Sequence, residues 1–447
     1  MPFNHCIENI RKFLTAPKAE APNSIFRVTV VAFEDKCSMN CGLRFAEILK
    51  HNPLFEVNFF NEDFSKGFLN LQGRNFFDFI DRGNKILSST HSDILVWGYE
   101  ENGKIRLNFQ IADQYLIPND DLSYSLLDSL FIPLSYLTSS GRFSESVLLV
   151  ICGIIIAAVR PVTNDQKKTK PLLLQDIIEL LATDTSPKDI SREFMPYIMN
   201  MLGKIYLSNA KNSLTSTDID VIQKLFETAL KDIQLMSQPV YYGEVYHNMA
   251  QLFACAYNDK QLPDRSEYLK SAIAYYQEAH KYLNKNYPYD YGLIAYHLAV
   301  LYFDYWKQTN DLQALRDAVS QLREAEKVYT KSQFMQSWCH VEGLLGYYLA
   351  TLGMATKSSD IMQLAINSYR NQQEVFEQRV YPMEWAGIQE AIGNIYYLLG
   401  KQNEDETFLL EARNYFNSAL DVYNELKAKA AAAAVKQRLA KVHNYID

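Results

Sequence analysis

The cysteines of Cys37-Ser-Met-Asn-Cys41, with His5-Cys6 upstream and His51 downstream, are the densest group of soft donors in the chain. Thiolates and imidazoles at such spacing hold zinc when a second pair follows at a suitable interval. No second pair follows, so these residues read as ordinary thiols around a strand-to-helix loop, and no metal is expected. His247, His297 and His340 recur further along, at different offsets in a repeated pattern described below, so they occupy different helix faces and make no stacked metal or catalytic array. The acid pair Asp120-Asp121, after Pro118-Asn119, reads as a solvated turn. There is no Walker loop, no Gly-x-Gly-x2-Gly and no Gly-x-Ser-x-Gly elbow, so the common phosphate cradles and the serine-hydrolase elbow are absent. No catalytic residue and no cofactor is expected. Tyrosine pairs such as Tyr241-Tyr242, Tyr275-Tyr276, Tyr347-Tyr348 and Tyr396-Tyr397 lack the interleaved Lys/Arg of a base-stacking surface and read as helix packing.

Composition agrees. Of 447 residues, 44 are Lys or Arg and 52 Asp or Glu, a net charge of −8, which argues against a general nucleic-acid binder. Only 17 glycines against 30 tyrosines and 24 phenylalanines suit long packed helices. Six scattered cysteines make no disulfide framework, and MPFNHCIENIRKFLT carries no secretory signal pattern, so a reduced, cytoplasmic setting is expected. Val147 to Val159 is uncharged for 13 residues and is closed by Glu145 and Arg160-Pro161. A membrane-spanning helix needs about 20 apolar residues, so this run is expected to be a buried helix and no transmembrane span is expected.

The elements that must carry any function divide the chain. Residues 1–23 read as a loose arm. Residues 24–160 read as a small α/β domain: strands at 25–33, 55–60, 93–98 and 104–111, helices at 41–50 and 74–87, a hairpin turn at Glu101-Asn102-Gly103 and the buried apolar helix. Residues 161–190 are polar and Lys-rich, with one helical stretch at 172–182, and read as a linker. From 191 to 447 the chain repeats itself. An apolar–small pair recurs at Leu202-Gly203, Met249-Ala250, Leu298-Ala299, Leu345-Gly346, Ile392-Gly393 and Leu439-Ala440, spaced 47 residues apart and once 49. Later units add a second motif with large and small residues at i, i+4 and i+7: Ala272/Tyr276/Ala279, Ala318/Leu322/Ala325 and Ala412/Phe416/Ala419. Ala365/Tyr369/Gln372 departs from it at the third position. Each unit is therefore a helical hairpin whose small residues let two backbones approach. The fold class expected is a small amino-terminal α/β domain followed by an all-α solenoid of about five hairpins and a carboxyl-terminal capping helix, with helix predominant.

These two motifs resemble the tetratricopeptide repeat, lengthened from its 34-residue period. Pro382, Trp385, Ala386, Gln389, Ile392 and Gly393 are similar to the Pro-x2-Trp-Ala-x2-Gln-x2-Leu-Gly units of a longer bacterial variant. The stretch SDILVWGYEENGKIRLNFQIAD, following VTVVAF, is similar to the small amino-terminal domain of the TolB translocation protein. Neither resemblance implies an enzyme. The first implies a concave groove for a protein or peptide partner, built from Tyr197, Asn200, Lys204, Glu244, His247, Gln251, Tyr296, Val300, His340, Tyr347, Glu390, Asn394 and Tyr397. The competing expectation is a small-ligand (nucleotide-like) sensor or an enzyme in the α/β domain, around Glu34-Asp35-Lys36 and Trp97-Gly98-Tyr99, where strand carboxyl ends gather.

Overall fold

The computed structural model describes residues 26–33, 40–63, 74–101, 103–111, 129–137, 145–183, 193–232, 240–285 and 287–446. The arm at 1–23, together with Cys37, Glu34–Lys36 and Asp120-Asp121, lies outside them. A small five-stranded mixed sheet precedes a helical solenoid. Its strands are β1 (Phe26–Ala32), β2 (Phe55–Asp63), β3 (Ile94–Glu101), β4 (Lys104–Gln110) and β5 (Ser129–Pro133). The order is β2-β1-β3-β4-β5, with β1 parallel to β2 and β3, and β4 antiparallel to both neighbours. The expected hairpin is present: Glu101 pairs with Lys104, and Gly103 takes the turn at φ 75°. β5 was not expected from the sequence.

Two helices, α1 (Cys41–Lys50) and α2 (Arg74–Thr90), connect the parallel strands. Asn40 caps α1 by accepting from the Leu43 N–H, and a Cβ on Gly42 would stand 2.6 Å from the Val31 carbonyl oxygen, so only glycine lets α1 lie this close to β1. The apolar run forms α3 (Glu145–Ala158), buried as expected, and among the described residues no helix is long and apolar enough to cross a membrane. Asn52 Nδ2 donates to Cys152 Sγ at 3.3 Å, and burial pushes that thiol up to about 12. Cys152 is therefore expected to stay unmodified by a thiol reagent at pH 8 until denaturant is added, read by mass spectrometry. Modification at the rate of an exposed thiol would show that α3 opens in the native state.

The expected linker is mostly helix. α4 (Asn164–Thr183) begins eight residues earlier than the 172–182 stretch, because Thr163 and Gln166 form a capping box that polarity alone did not reveal. Lys170 Nζ then donates to the last carbonyls of α3, Ala157 at 2.8 Å and Val159 at 2.7 Å.

The hairpins follow: α5 (Met195–Ala210) with α6 (Ser216–Asp232), α7 (Val240–Asn258) with α8 (Arg265–Tyr282), α9 (Pro288–Thr309) with α10 (Leu312–Val328), α11 (Met335–Thr356) with α12 (Ser359–Gln373), and α13 (Pro382–Asn403) with α14 (Glu406–Glu425). A single helix, α15 (Lys429–Ile446), comes last. The chain packs as two compact units, one through Asp290 and one from Tyr291.

The repeated small residues do what their size requires. A Cβ on Gly203 would meet the Phe226 ring at 2.4 Å, on Gly346 the Tyr369 ring at 2.9 Å, and on Gly393 the Phe416 ring at 2.9 Å. In α13/α14 the later Gly400 meets the earlier Leu409, so the helices run antiparallel. The irregular Gln372 is accommodated at Gly343: its side chain lies where a Cβ would be and donates to the Cys339 carbonyl at 3.1 Å. Turns repeat with the same period. Asn310, Lys357 and Glu404 all have φ near 55°, and each precedes an N-cap, Asp311, Ser358 or Asp405, whose side chain accepts from the first turn. The sixth small residue, Ala440, departs from expectation. It is exposed, since no described helix packs on that side of α15.

One buried group opposes this packing. Glu342 on α11 is almost fully buried and accepts from Asn371 Nδ2 at 3.0 Å. Burial pushes its carboxyl up to about 7 from 4.5. Asn371 and Ser368 of α12 and Arg323 of α10 lower it, and Glu326 of α10 raises it. Below pH 4.5 the group is neutral folded and unfolded, so it carries no penalty. Above pH 7 it is charged in both states, and the folded state bears the full cost, so its contribution to stability falls as pH rises between these values. Glu342→Gln is accordingly expected to stabilise the second unit by about 2–3 kcal/mol at pH 8 and hardly at all at pH 4. Urea unfolding of both chains at the two pH values measures this, and an equal effect at both would refute it.

Candidate functional site

The groove residues separate into two groups. Those on α5 and α7 are enclosed. Asn200, Lys204, Glu244, His247 and Gln251 are at most 4% exposed, and Tyr197 reaches 9%. They were expected to face outward; His247 instead lies 5.7 Å from the Tyr276 ring of its own hairpin, Asn200 pairs with α7, and the chain's own sheet packs on Tyr197 and Tyr241 of the same helices. β4 and β5 bring Arg106 and Phe131 against the first helices of hairpins one and two. The Phe131 ring lies 4.4 Å from Tyr197 and 5.6 Å from Tyr241, and the Arg106 guanidinium lies 5.4 Å from the Tyr241 ring and 5.6 Å from Phe131.

Arg106 is the centre of this seam. It is 4% exposed, and Nη1 donates to the Tyr99 hydroxyl at 2.9 Å. Burial disfavours its charge, yet Tyr241, Tyr99 and Glu244 outweigh burial, and the net direction is upward. Polar partners continue along the helices: Asn200 Nδ2 donates to Glu244 Oε1 at 2.8 Å, and Asn248 Nδ2 to Asn200 Oδ1 at 3.0 Å. Gln251 Nε2 and His247 Nε2 lie 3.3 Å apart. Burying such groups is costly unless they pair, so the network fixes how the sheet and these helices fit.

Arg106 escaped the sequence reading because Lys104, Arg106, Asn108 and Gln110 alternate along β4 as a solvated edge would. Three of the four are buried. Gln110 is held by α2, donating to the Ile80 carbonyl at 3.0 Å. Trp97 and Tyr99, expected near a ligand loop, are buried in the same face.

The second group lies in the second unit and is more open. The Tyr296 hydroxyl and His340 Nε2 meet at 3.1 Å, and burial lowers the His340 pKa. Tyr347 is 51% exposed, with its ring 5.2 Å from Phe303, which also stacks on Tyr348 at 3.9 Å and touches Trp306 at 5.2 Å. Val300, Asn394 and Tyr397 are half-buried, and Tyr397 meets Tyr445 of α15 at 6.0 Å. Glu390 already has partners: Arg438 at 2.5 Å and the Tyr423 hydroxyl at 3.1 Å. Phe303, Trp306 and Tyr445 were missed. Phe303 and Tyr445 stand at +4 and +5 from their small residues, offsets the groove pattern already covers, and Trp306 at +7 lies one turn beyond it.

Among the described residues no group of three or more His, Cys, Asp or Glu side chains is placed to hold a metal ion. No family model and no curated protein matches the chain. A solved structure to which it is similar is the "Crystal structure of BtubC (BKLC) from P. vanneervenii", at 16% identity over 64% of this chain and 93% of that chain, with a TM-score of 0.35.

Proposed function

We propose that this chain is a non-enzymatic, cytoplasmic scaffold of the tetratricopeptide kind, whose second unit presents a face to an extended or helical peptide of a protein partner. A TolB-like α/β layer occupies the equivalent face of the first two hairpins. The observation that carries the reading is Tyr347: a large aromatic side chain, half in water, on an aromatic base of Phe303 and Tyr348. Interfaces are anchored by such residues, rigid and apolar with a polar tip. Half-buried His340, Asn394 and Tyr397 supply hydrogen-bonding groups to fix a peptide's register.

A photo-crosslinking residue at position 347 of the full chain is expected to capture a discrete protein from the native cell. The same residue at exposed Lys427 is expected to capture none, and Tyr347→Ala is expected to weaken recovery of that protein in an ordinary pull-down. Equal adducts from both positions would defeat the proposal.

A second reading places a small-ligand sensor in the α/β layer, and the buried polar row Arg106, Asn108 and Gln110 on β4 favours it. A saturating ligand would then stabilise the full chain by about 2.7 kcal/mol at a hundredfold excess over its dissociation constant. A thermal-shift screen with nucleotides and sugar phosphates separates the readings.

A further inference from the structure

The Tyr347 face already holds a cation of the chain's own. Phe303 of α9 forms its floor: Tyr347 and Trp306 each lie 5.2 Å from that ring, and Tyr348 stacks on it at 3.9 Å. Lys307, one turn further along α9, places its Nζ 5.4 Å from the centre of the Phe303 ring and 2.5 Å from Asp304 Oδ1. Carboxylate and rings share one space, since the Tyr348 hydroxyl, raised by burial, is raised further by the Asp304 charge. An aromatic face backed by a carboxylate is a cation site, and here it is filled from within. The occupant is loosely kept. The Lys307 side chain is 53% exposed and that of Asp304 19%, an i,i+3 pair on a helix surface. Such a pair holds weakly, because water screens it and a long side chain must be ordered to make it. Tyr347 beside it is half in water and Trp306 half-buried, so the rings are reachable from solvent.

We infer that the partner peptide of this face carries a basic residue, arginine before lysine, which enters over Phe303 in place of Lys307 and pairs with Asp304. The inference rests on the peptide face proposed above and names the chemistry of its occupant. Arginine is the better replacement because its planar guanidinium stacks on a ring and presents two N–H groups to one carboxylate. An ammonium is a strongly hydrated point charge and does neither as well. An acidic peptide pairing with Lys307 would have to approach Asp304, 2.5 Å from that ammonium, so like-charge repulsion offsets its gain and the rings are left without a cation.

A random peptide library displayed on phage and selected against the full-length chain is the probe. Enriched peptides are expected to share an arginine or lysine beside apolar residues. The most enriched of them, synthesised with a fluorophore, is titrated by anisotropy into the full-length chain and its variants. Its dissociation constant should rise about tenfold in Asp304→Asn, in Tyr347→Ala, and when its own basic residue is replaced by glutamine. In Lys307→Gln it should fall about threefold, since the competing cation is gone, and a gain of binding cannot come from misfolding. Peptides that need Tyr347 but carry no basic residue overturn the inference and leave the peptide face standing. So do peptides that bind Lys307→Gln more weakly, which would mark an acidic partner. Peptides indifferent to Tyr347→Ala, or no enrichment at all, overturn both the inference and the peptide face.

Discussion

Gly346→Leu is expected to destabilise the second unit by about 1–3 kcal/mol or more and to loosen α11–α14 first. A Cβ alone at this position would stand 2.9–3.0 Å from three atoms of the Tyr369 ring, closer than packed carbons tolerate. Leucine adds three further carbons to that overlap. The Tyr369 ring is held between α11 and α12, so relief requires the helices to part rather than a side chain to swing. Hydrogen exchange would show the damage as lost protection over 335–425, with the sheet's amides in the first unit unchanged. Tyr347→Ala is the matched control. Its neighbour in sequence points the other way, half in water, and its removal should change stability by only about 0.5 kcal/mol. If Gly346→Leu were silent while Tyr347→Ala unfolded the array, the helix register would be wrong, and with it the proposed partner face.

The second large effect is expected at Arg106. Arg106→Met should cost the first unit about 3–5 kcal/mol, the scale seen when one member of a buried charged group is removed and its counterpart stays behind. What stays behind is Glu244, on α7, hydrogen-bonded to Asn200 but without the Arg106 charge that interacts with it. Tyr99→Phe keeps the ring and removes one hydrogen bond to a charged donor, so it should cost less, about 1.5–3 kcal/mol. Adding Glu244→Gln to Arg106→Met should recover much of the loss, because the buried charge is then gone from both sides. Urea denaturation of the four chains completes the cycle. Strict additivity would show that Arg106 and Glu244 act independently, and that the seam owes its stability to aromatic packing alone.

The repeats were legible because their information is local. A 47-residue period and residues at i, i+4 and i+7 report which side of a helix must be small, and Gly203, Gly346 and Gly393 each met the predicted kind of neighbour. The same locality showed that Val147–Val159 was too short to span a bilayer and that Asn102-Gly103 would turn a hairpin. The sequence by itself thus determined the fold class, a small α/β layer and a solenoid, together with the crossings at Gly203, Gly346 and Gly393.

Tertiary structure decided which faces remain open. Asn200, His247 and Gln251 carry the same polar signature as Asn394, yet the first three are buried and the fourth is half-buried: α5 and α7 pair their polar groups with each other, His247 lies on Tyr276, and β4 and β5 pack on Tyr197 and Tyr241 of the same helices. Nothing within one helix's own sequence records that a strand about a hundred residues earlier will cover it. Arg106 shows the converse. Its alternation with Asn108 and Gln110 is the pattern of a strand edge in water, and only the packing of Tyr241 and Phe131 around it makes it interior. Ala440 has the sequence of a crossing residue and lies exposed, since the described helices that α15 meets pack on its Val435, Leu439 and Val442 side. Periodicity specifies the side of a helix that can be packed; whether it is packed depends on what long-range chain topology places beside it.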